Sequence, residues 1–194
     1  MPTEIIKAES AEIKKNIRTV KKMTGGMGFD ENMGKVNWRA VRLISGFGYK
    51  FMPKEKGVRF GKHSSDKCRY EVAVPQQVTD GNIILYIHGG GFVSGSAASS
   101  RGYCSMLAAY SGCRVIAAEY SLAPEKPFPH GFEDCCAVFG EIIGEYPGAK
   151  IALVGESAGG NLCVALALWA VKEGLGEKVS SVTVHSPFLD LTAP

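Results

Sequence analysis

No stretch of the 194-residue chain approaches the roughly 18 to 20 uninterrupted apolar residues that a membrane-spanning helix needs. The richest run, Leu162 to Val171, is about half that length. Met1 to Lys15 mixes Glu and Lys with isolated Ile, and so lacks the basic start and continuous apolar run of a secretory signal. These absences predict a cytoplasmic protein with no membrane span. Blocks of like charge are also missing. The net charge of +3 is spread along the chain without a basic stripe, which argues against nucleic acid as a partner and against a charged disordered tail. No two of the six cysteines (Cys68, Cys104, Cys113, Cys135, Cys136, Cys163) are separated by two residues, the spacing of zinc and redox motifs. They read as small buried hydrophobes in a reducing compartment, with neither a metal nor a disulfide expected. Internal repeats and low-complexity segments are absent as well.

What is present is 45% hydrophobic and 21% charged residues, enough to bury one substantial core. From Thr3 to about Met23, Ile5, Ile6, Ile13, Ile17 and Val20 fall loosely at helical spacing, and Thr3 can cap the start. Gly25, Gly26 and Gly28 break that helix. A second apolar face follows, with Trp38, Val41, Leu43, Ile44, Phe47 and Phe51. Residues 1–55 therefore read as a helical appendage. Residues 56–194 change character. Val58 to Gly61, a polar turn at His63 to Asp66, and the alternation Cys68, Tyr70, Val72, Val74 predict a β-hairpin. Short apolar runs then alternate with helical segments: Ile83 to Ile87, a helix near Ser99 to Tyr110, Val115 to Glu119 and a helix near Gly131 to Tyr146. The pattern repeats through Ile151 to Val154, a helix from Ala158 to about Glu173, and Val182 to His185. Strands alternating with helices predict an α/β fold, a mostly parallel sheet with helices on both faces.

Gly155-Glu156-Ser157-Ala158-Gly159 directly follows the run Ile151 to Val154 and opens a helix. With 24 glycines in the chain the string alone is weak, but a serine between a buried strand and a helix is the setting of a nucleophile elbow. The turn must be tight enough to strain the serine backbone and lift its hydroxyl above the sheet, and Gly155 and Gly159 leave room for that. The helix starting at Ala158 would aim its positive end at a developing oxyanion. His88-Gly89-Gly90-Gly91-Phe92 ends the strand Ile83 to Ile87. Its glycine N–H groups, with that of Ala158, could form an oxyanion hole. A phosphate loop would place Lys and Ser or Thr after the glycines, whereas Phe92 and Val93 follow here.

These blocks resemble the hormone-sensitive-lipase-like esterases, the α/β-hydrolase fold-3 family. The match runs through His88 to Phe92, Val93, Gly95 and Ser96. It continues through Glu119-Tyr120-Ser121-Leu122-Ala123-Pro124-Glu125 with Pro127-Phe128-Pro129, through Gly155 to Asn161, and through Ser186-Pro187-Phe188-Leu189-Asp190-Leu191-Thr192. The resemblance implies an eight-stranded sheet, a helical cap built partly from the N-terminus, and hydrolysis of short to medium acyl esters without a cofactor. It makes Ser157 the catalytic nucleophile and Gly89, Gly90, Gly91 and Ala158 the oxyanion hole, with His88, Gly155, Glu156 and Gly159 in support. The family has Asp-Tyr-Arg where this chain has Glu119-Tyr120-Ser121, so a brace of that loop is expected to be lost.

In the family the triad acid and base follow the serine by a long interval, and no matching positions occur before Pro194. The expectation is a C-terminally truncated domain, lacking the last two strands and inactive or nearly so alone. A non-catalytic small-molecule-binding module of the same fold, or an inactive truncated product, is the rival. Of the four histidines, His63 is expected in a hairpin turn, His88 as a loop brace, His130 at a helix start and His185 packing at a strand end. Asp134 and Asp190 read as structural, and Glu156 as bonding backbone or an arginine. The bare edge at Val182 to His185 predicts self-association or a companion C-terminal segment.

Overall fold

A computed structural model describes Arg42, residues 52–79 and residues 81–191. The chain forms β1 (Arg59–Ser64), β2 (Arg69–Val74), β3 (Ile83–Ile87), α1 (Arg101–Ser111), β4 (Arg114–Ala118) and α2 (His130–Glu145). It continues with β5 (Ile151–Glu156), α3 (Ala158–Lys172), a single 3-10 turn (Gly176–Lys178) and β6 (Val179–His185). The six strands make one sheet in the order β1-β2-β4-β3-β5-β6. The hairpin β1–β2 joins antiparallel to β4, while β4, β3, β5 and β6 run parallel. This is the α/β-hydrolase type of mixed sheet.

Alternation along β3 explains the layering. Ile83, Leu85 and Ile87 face α2 and α3, where they pack with Val138, Phe139, Ile142, Leu162 and Leu166. Ile84 and Tyr86 face α1, against Cys104 and Ala108. Every β3 residue is buried, as a parallel strand covered on both faces requires. From β3 the chain crosses by α1 to β4 on one side, then returns by α2 to β5 on the other. The strand order thus reverses at β3, and a crevice opens beyond the carboxyl ends of β3 and β5, the usual ligand position in such sheets.

Two local expectations are corrected. His63 does not sit in the hairpin turn: it is the fifth residue of β1, paired with Tyr70, and the turn is closed by Ser65 N–H donating to Cys68 O at 3.0 Å. β6 begins at Val179, three residues before the apolar alternation starts, because its first half is held by backbone pairing with β5 across an irregularity at Ile151/Ala152. The predicted helix from Thr3 to Met23 and nearly all of the second apolar face lie outside the described residues.

Candidate active site

Ser157 stands between β5 and α3 with φ 51° and ψ −119°, a left-handed conformation that costs a non-glycine residue about 1–3 kcal/mol. Packing enforces it. A Cβ on Gly155 would come 2.5 Å from Gly159 O and 2.7 Å from Cys163 Sγ, and one on Gly159 would strike the carbonyl oxygen of Ile87. The strand and helix can therefore approach this closely only with glycine at both places. The backbone is tethered by Ser157 N–H donating to His185 O at 2.9 Å and by Phe188 N–H donating to Ser157 O at 3.0 Å. Ser157 occupies the N-cap position of α3, yet its hydroxyl makes no capping hydrogen bond. The side chain is thus left exposed at the positive end of a 15-residue helix.

The loop after β3 lies against this turn. A Cβ on Gly89 would fall 3.0 Å from Glu156 O and 3.3 Å from Ser157 Cβ. Gly90 and Gly91 have φ 121° and 61°, and Gly90 O accepts hydrogen bonds from Val93 N–H and Ser94 N–H at 3.1 and 3.0 Å. A cavity of about 450 Å³ brings together His88, Gly89, Gly90, Tyr86, Glu156 and Ser157. Gly91 and Ala158 do not line it, and Ala158 is fully buried behind Ser157. Chemically, the arrangement offers an exposed hydroxyl beside glycine backbone at a helix N-terminus, which suits attack on a carbonyl whose oxygen becomes negative.

His88 is buried. Its Nδ1–H donates to Gly89 O at 2.8 Å, its ring stacks on Tyr120 at 4.2 Å, and Tyr120 O–H donates to His88 O at 2.9 Å. Burial lowers its pKa to about 4, so the ring is neutral near pH 7 and its donor is already engaged. His185 Nε2 pairs with Tyr103 Oη at 3.1 Å. His130 Nδ1 lies 2.8 Å from Pro127 O at the start of α2, and His63 lies on β1. Among the described residues no base hydrogen-bonds the Ser157 hydroxyl. Asp134 Oδ2 accepts the Ser121 N–H at 2.7 Å. Glu156 differs from the expectation: its carboxylate meets the Tyr86 hydroxyl, whose pKa burial and then the Glu156 charge push up.

Three features escape the sequence. Tyr86 tilts against Tyr103 at 5.4 Å, and Tyr103 continues to His185, giving the cavity a wall of aromatic rings. Burial is the first cause that raises the Glu119 pKa, and the Ala97 N–H, donated to Glu119 Oε2 at 2.8 Å, partly offsets it. Arg42, in helical conformation, donates through Nε to Val93 O and through Nη2 to Ala123 O, each at 2.6 Å, and grips Glu125 with both terminal nitrogens at 2.9 and 2.7 Å. The brace expected to vanish with Ser121 is thus supplied to the neighbouring loops by Arg42 and Asp134. The sequence signal is faint: Arg42 is one of three cationic residues, with Arg39 and Lys50, in the largely apolar stretch 38–51, and neither it nor Asp134 identifies a partner.

A family model described as alpha/beta hydrolase fold matches residues 84–194, more than half of the chain and all of the elements that build the crevice. The chain belongs to the hormone-sensitive-lipase-like α/β-hydrolases. Among these hydrolases, the versiconal hemiacetal acetate esterase of Emericella nidulans is 36% identical over 116 residues, 60% of this chain and 41% of that protein. Human hormone-sensitive lipase is 39% identical over 112 residues, 52% of this chain and 10% of that protein. The crystal structure of a hormone-sensitive lipase from a metagenome library superposes with a TM-score of 0.79 at 27% identity, covering 92% of this chain and 58% of that one. The chain therefore spans less than half the length of these two curated hydrolase relatives. No helix of the described residues is long and apolar enough to cross a membrane.

Proposed function

We propose that this chain carries the nucleophile half of a serine carboxylesterase acting on short to medium acyl esters, with no cofactor and no nucleic-acid partner. The observation that carries the reading is the strained, uncapped Ser157 set against Gly89 in the cavity. Ser157 Oγ attacks the ester carbonyl, and N–H groups among Gly89, Gly90, Gly91 and Ala158 receive the oxyanion. Losing one such donor costs about 2.7–4 kcal/mol of transition-state stabilisation. His88 is buried and held through Nδ1 by Gly89 O, and His185 Nε2 pairs with Tyr103, so neither ring meets the Ser157 hydroxyl; the general base and its orienting acid come from a histidine and a carboxylate beyond this sequence. Residues 1–55 serve as the helical cap, and residues 56–194 form the hydrolase domain. The exposed β6 receives a companion segment or a second copy. Six free thiols, five of them buried, fit a reducing cytoplasm.

The experiment is labelling with a fluorophosphonate followed by peptide mapping, together with p-nitrophenyl acetate hydrolysis. In a protein carrying the completing histidine and acid, Ser157 takes the label and Ser157→Ala loses both labelling and turnover. Residues 1–194 alone retain only the acceleration of roughly 10³ to 10⁴ over water that binding and an oxyanion hole provide. Wild-type turnover in Ser157→Ala would overturn the assignment. Stable labelling of Ser157 without hydrolysis in the completed protein would instead favour the binding module.

A further inference from the structure

Three strands away from Ser157 across the sheet, the hairpin β1–β2 and α2 bring together donors that are far apart in sequence. His63 projects from β1, Cys68 precedes β2, and Glu141 lies in the fourth turn of α2. Their ligand atoms, one from each residue, all lie within 4.8 Å of one another. His63 Nε2 is 3.1 Å from Glu141 Oε1, and Cys68 Sγ is 3.7 Å from Glu141 Oε2. The His63 contact is short but poorly aligned, so Nε2 is buried without a hydrogen bond. An ion pair alone accounts for neither that orphaned nitrogen nor the convergence of a thiol on the same carboxylate.

We propose that His63, Cys68 and Glu141 bind a divalent zinc ion. Imidazole nitrogen, thiolate and carboxylate are zinc's three protein ligand types, with bonds of about 2.0–2.3 Å, which place neighbouring donors of a tetrahedron roughly 3.3–3.8 Å apart. The two measured approaches are close to that edge, so small side-chain rotations suffice. Supporting contacts are in place. The His63 ring is stacked on Tyr70 at 4.4 Å and 8°, which fixes its orientation. Ser65 Oγ lies 3.9 Å from Cys68 Sγ. Glu141 and Asp134 present negative charge to the thiol, a field that favours a cation. A water would complete the tetrahedron as fourth ligand. On binding, Cys68 releases its proton to solvent, His63 coordinates as the neutral ring through Nε2, and Glu141 coordinates as carboxylate. The ion would fasten the hairpin edge of the sheet to α2, in a role separate from ester chemistry.

Cobalt(II) titration of the full chain tests this. The expected result is one equivalent bound per chain, with a thiolate-to-cobalt charge-transfer absorption and tetrahedral d–d bands that zinc displaces. Cys68→Ser abolishes the charge-transfer band, whereas Cys136→Ser leaves it intact. His63→Gln and Glu141→Gln, at partly exposed side chains, keep the fold by circular dichroism and each weaken cobalt binding at least tenfold. At zinc a hundredfold above its Kd, the wild-type Tm rises by at least about 5 °C, and His63→Gln shows no such rise. No charge-transfer band in the wild type, a band that survives Cys68→Ser, or unchanged affinity in both folded variants would overturn the proposal.

Discussion

β5 is paired on both sides with parallel strands, β3 and β6, and the serine at its end is shaped differently by each. On the β3 side every strand residue is buried, and contact is backbone on backbone: Gly159 rests on the carbonyl oxygens of Ile87 and His88, and Gly89 lies against Glu156 and Ser157. On the β6 side most residues are exposed, and contact is by hydrogen bonds to the Ser157 N–H and C=O. One flank excludes every side chain larger than hydrogen; the other holds the turn by two tethers. A strained turn in this fold thus needs a rigid wall and a leash, and the two demand different chemistry.

Adjacent glycines on α3 give the sharpest way to break that comparison. Gly159→Ala drives a methyl into the carbonyl oxygen of Ile87, which can yield only by moving the sheet, and should cost about 4 kcal/mol or more in urea denaturation. Gly160→Ala meets Pro187 Cβ at 2.9 Å on the β6 side, where the chain gives more easily, and should cost about 1–2 kcal/mol. Equal losses would mean that the flanks do not differ in stiffness. Next in size is the strand interior. Leu85→Ala empties a fully buried site and should cost about 3 kcal/mol, whereas Val182→Ala, at 39% exposure, should cost less than about 1 kcal/mol.

The pH dependence of stability probes the β3 flank alone. His88 has a folded pKa of about 4 against an ordinary 6.5, caused by burial. Below 6.5 the unfolded chain gains a proton that the folded chain refuses until about pH 4. The stability associated with His88 is therefore complete above 6.5 and is lost as pH falls toward 4, on the order of 3 kcal/mol. Glu119, raised by burial, works in the opposite sense and gains stability as pH falls through its folded value. The difference between wild type and His88→Asn isolates the histidine, and parallel stability curves for the two from pH 7.5 to 4 would contradict its burial as a neutral ring. The smallest effect concerns the strain itself. Ser157→Gly, which accepts φ 51° freely, should be about 1 kcal/mol more stable than Ser157→Ala, which does not; an Ala variant of equal or greater stability would show that the turn stores no strain.

The elements that build the crevice were legible because burial on two faces writes itself as continuous apolar runs, as in Ile83 to Ile87 and Ile151 to Val154. The glycine-rich turns were legible because backbone contact tolerates no substitute. β6 was only half legible: Val179, Ser180 and Ser181 join the sheet through backbone pairing, which leaves no hydrophobic period. His63 was misplaced because polar residues around it resemble turn chemistry, yet Tyr70 opposite offers its ring a partner. The Arg42 clasp and the meeting of Glu156 with Tyr86 depend on residues tens of positions apart, and only the folded topology joins them.

The tether on Ser157 also dictates an order of events during synthesis. Asn161 Nδ2 donates to Phe188 O across 27 residues of chain, and Phe188 N–H closes the same loop on Ser157 O. At roughly 5–20 residues per second, the ribosome makes the serine about 1.5–6 s before Phe188, the residue that secures it. Over that interval nothing on the β6 side holds φ positive, and the nascent turn relaxes toward ordinary backbone. The strained geometry of Ser157 is thus completed only after the strand beyond it has docked.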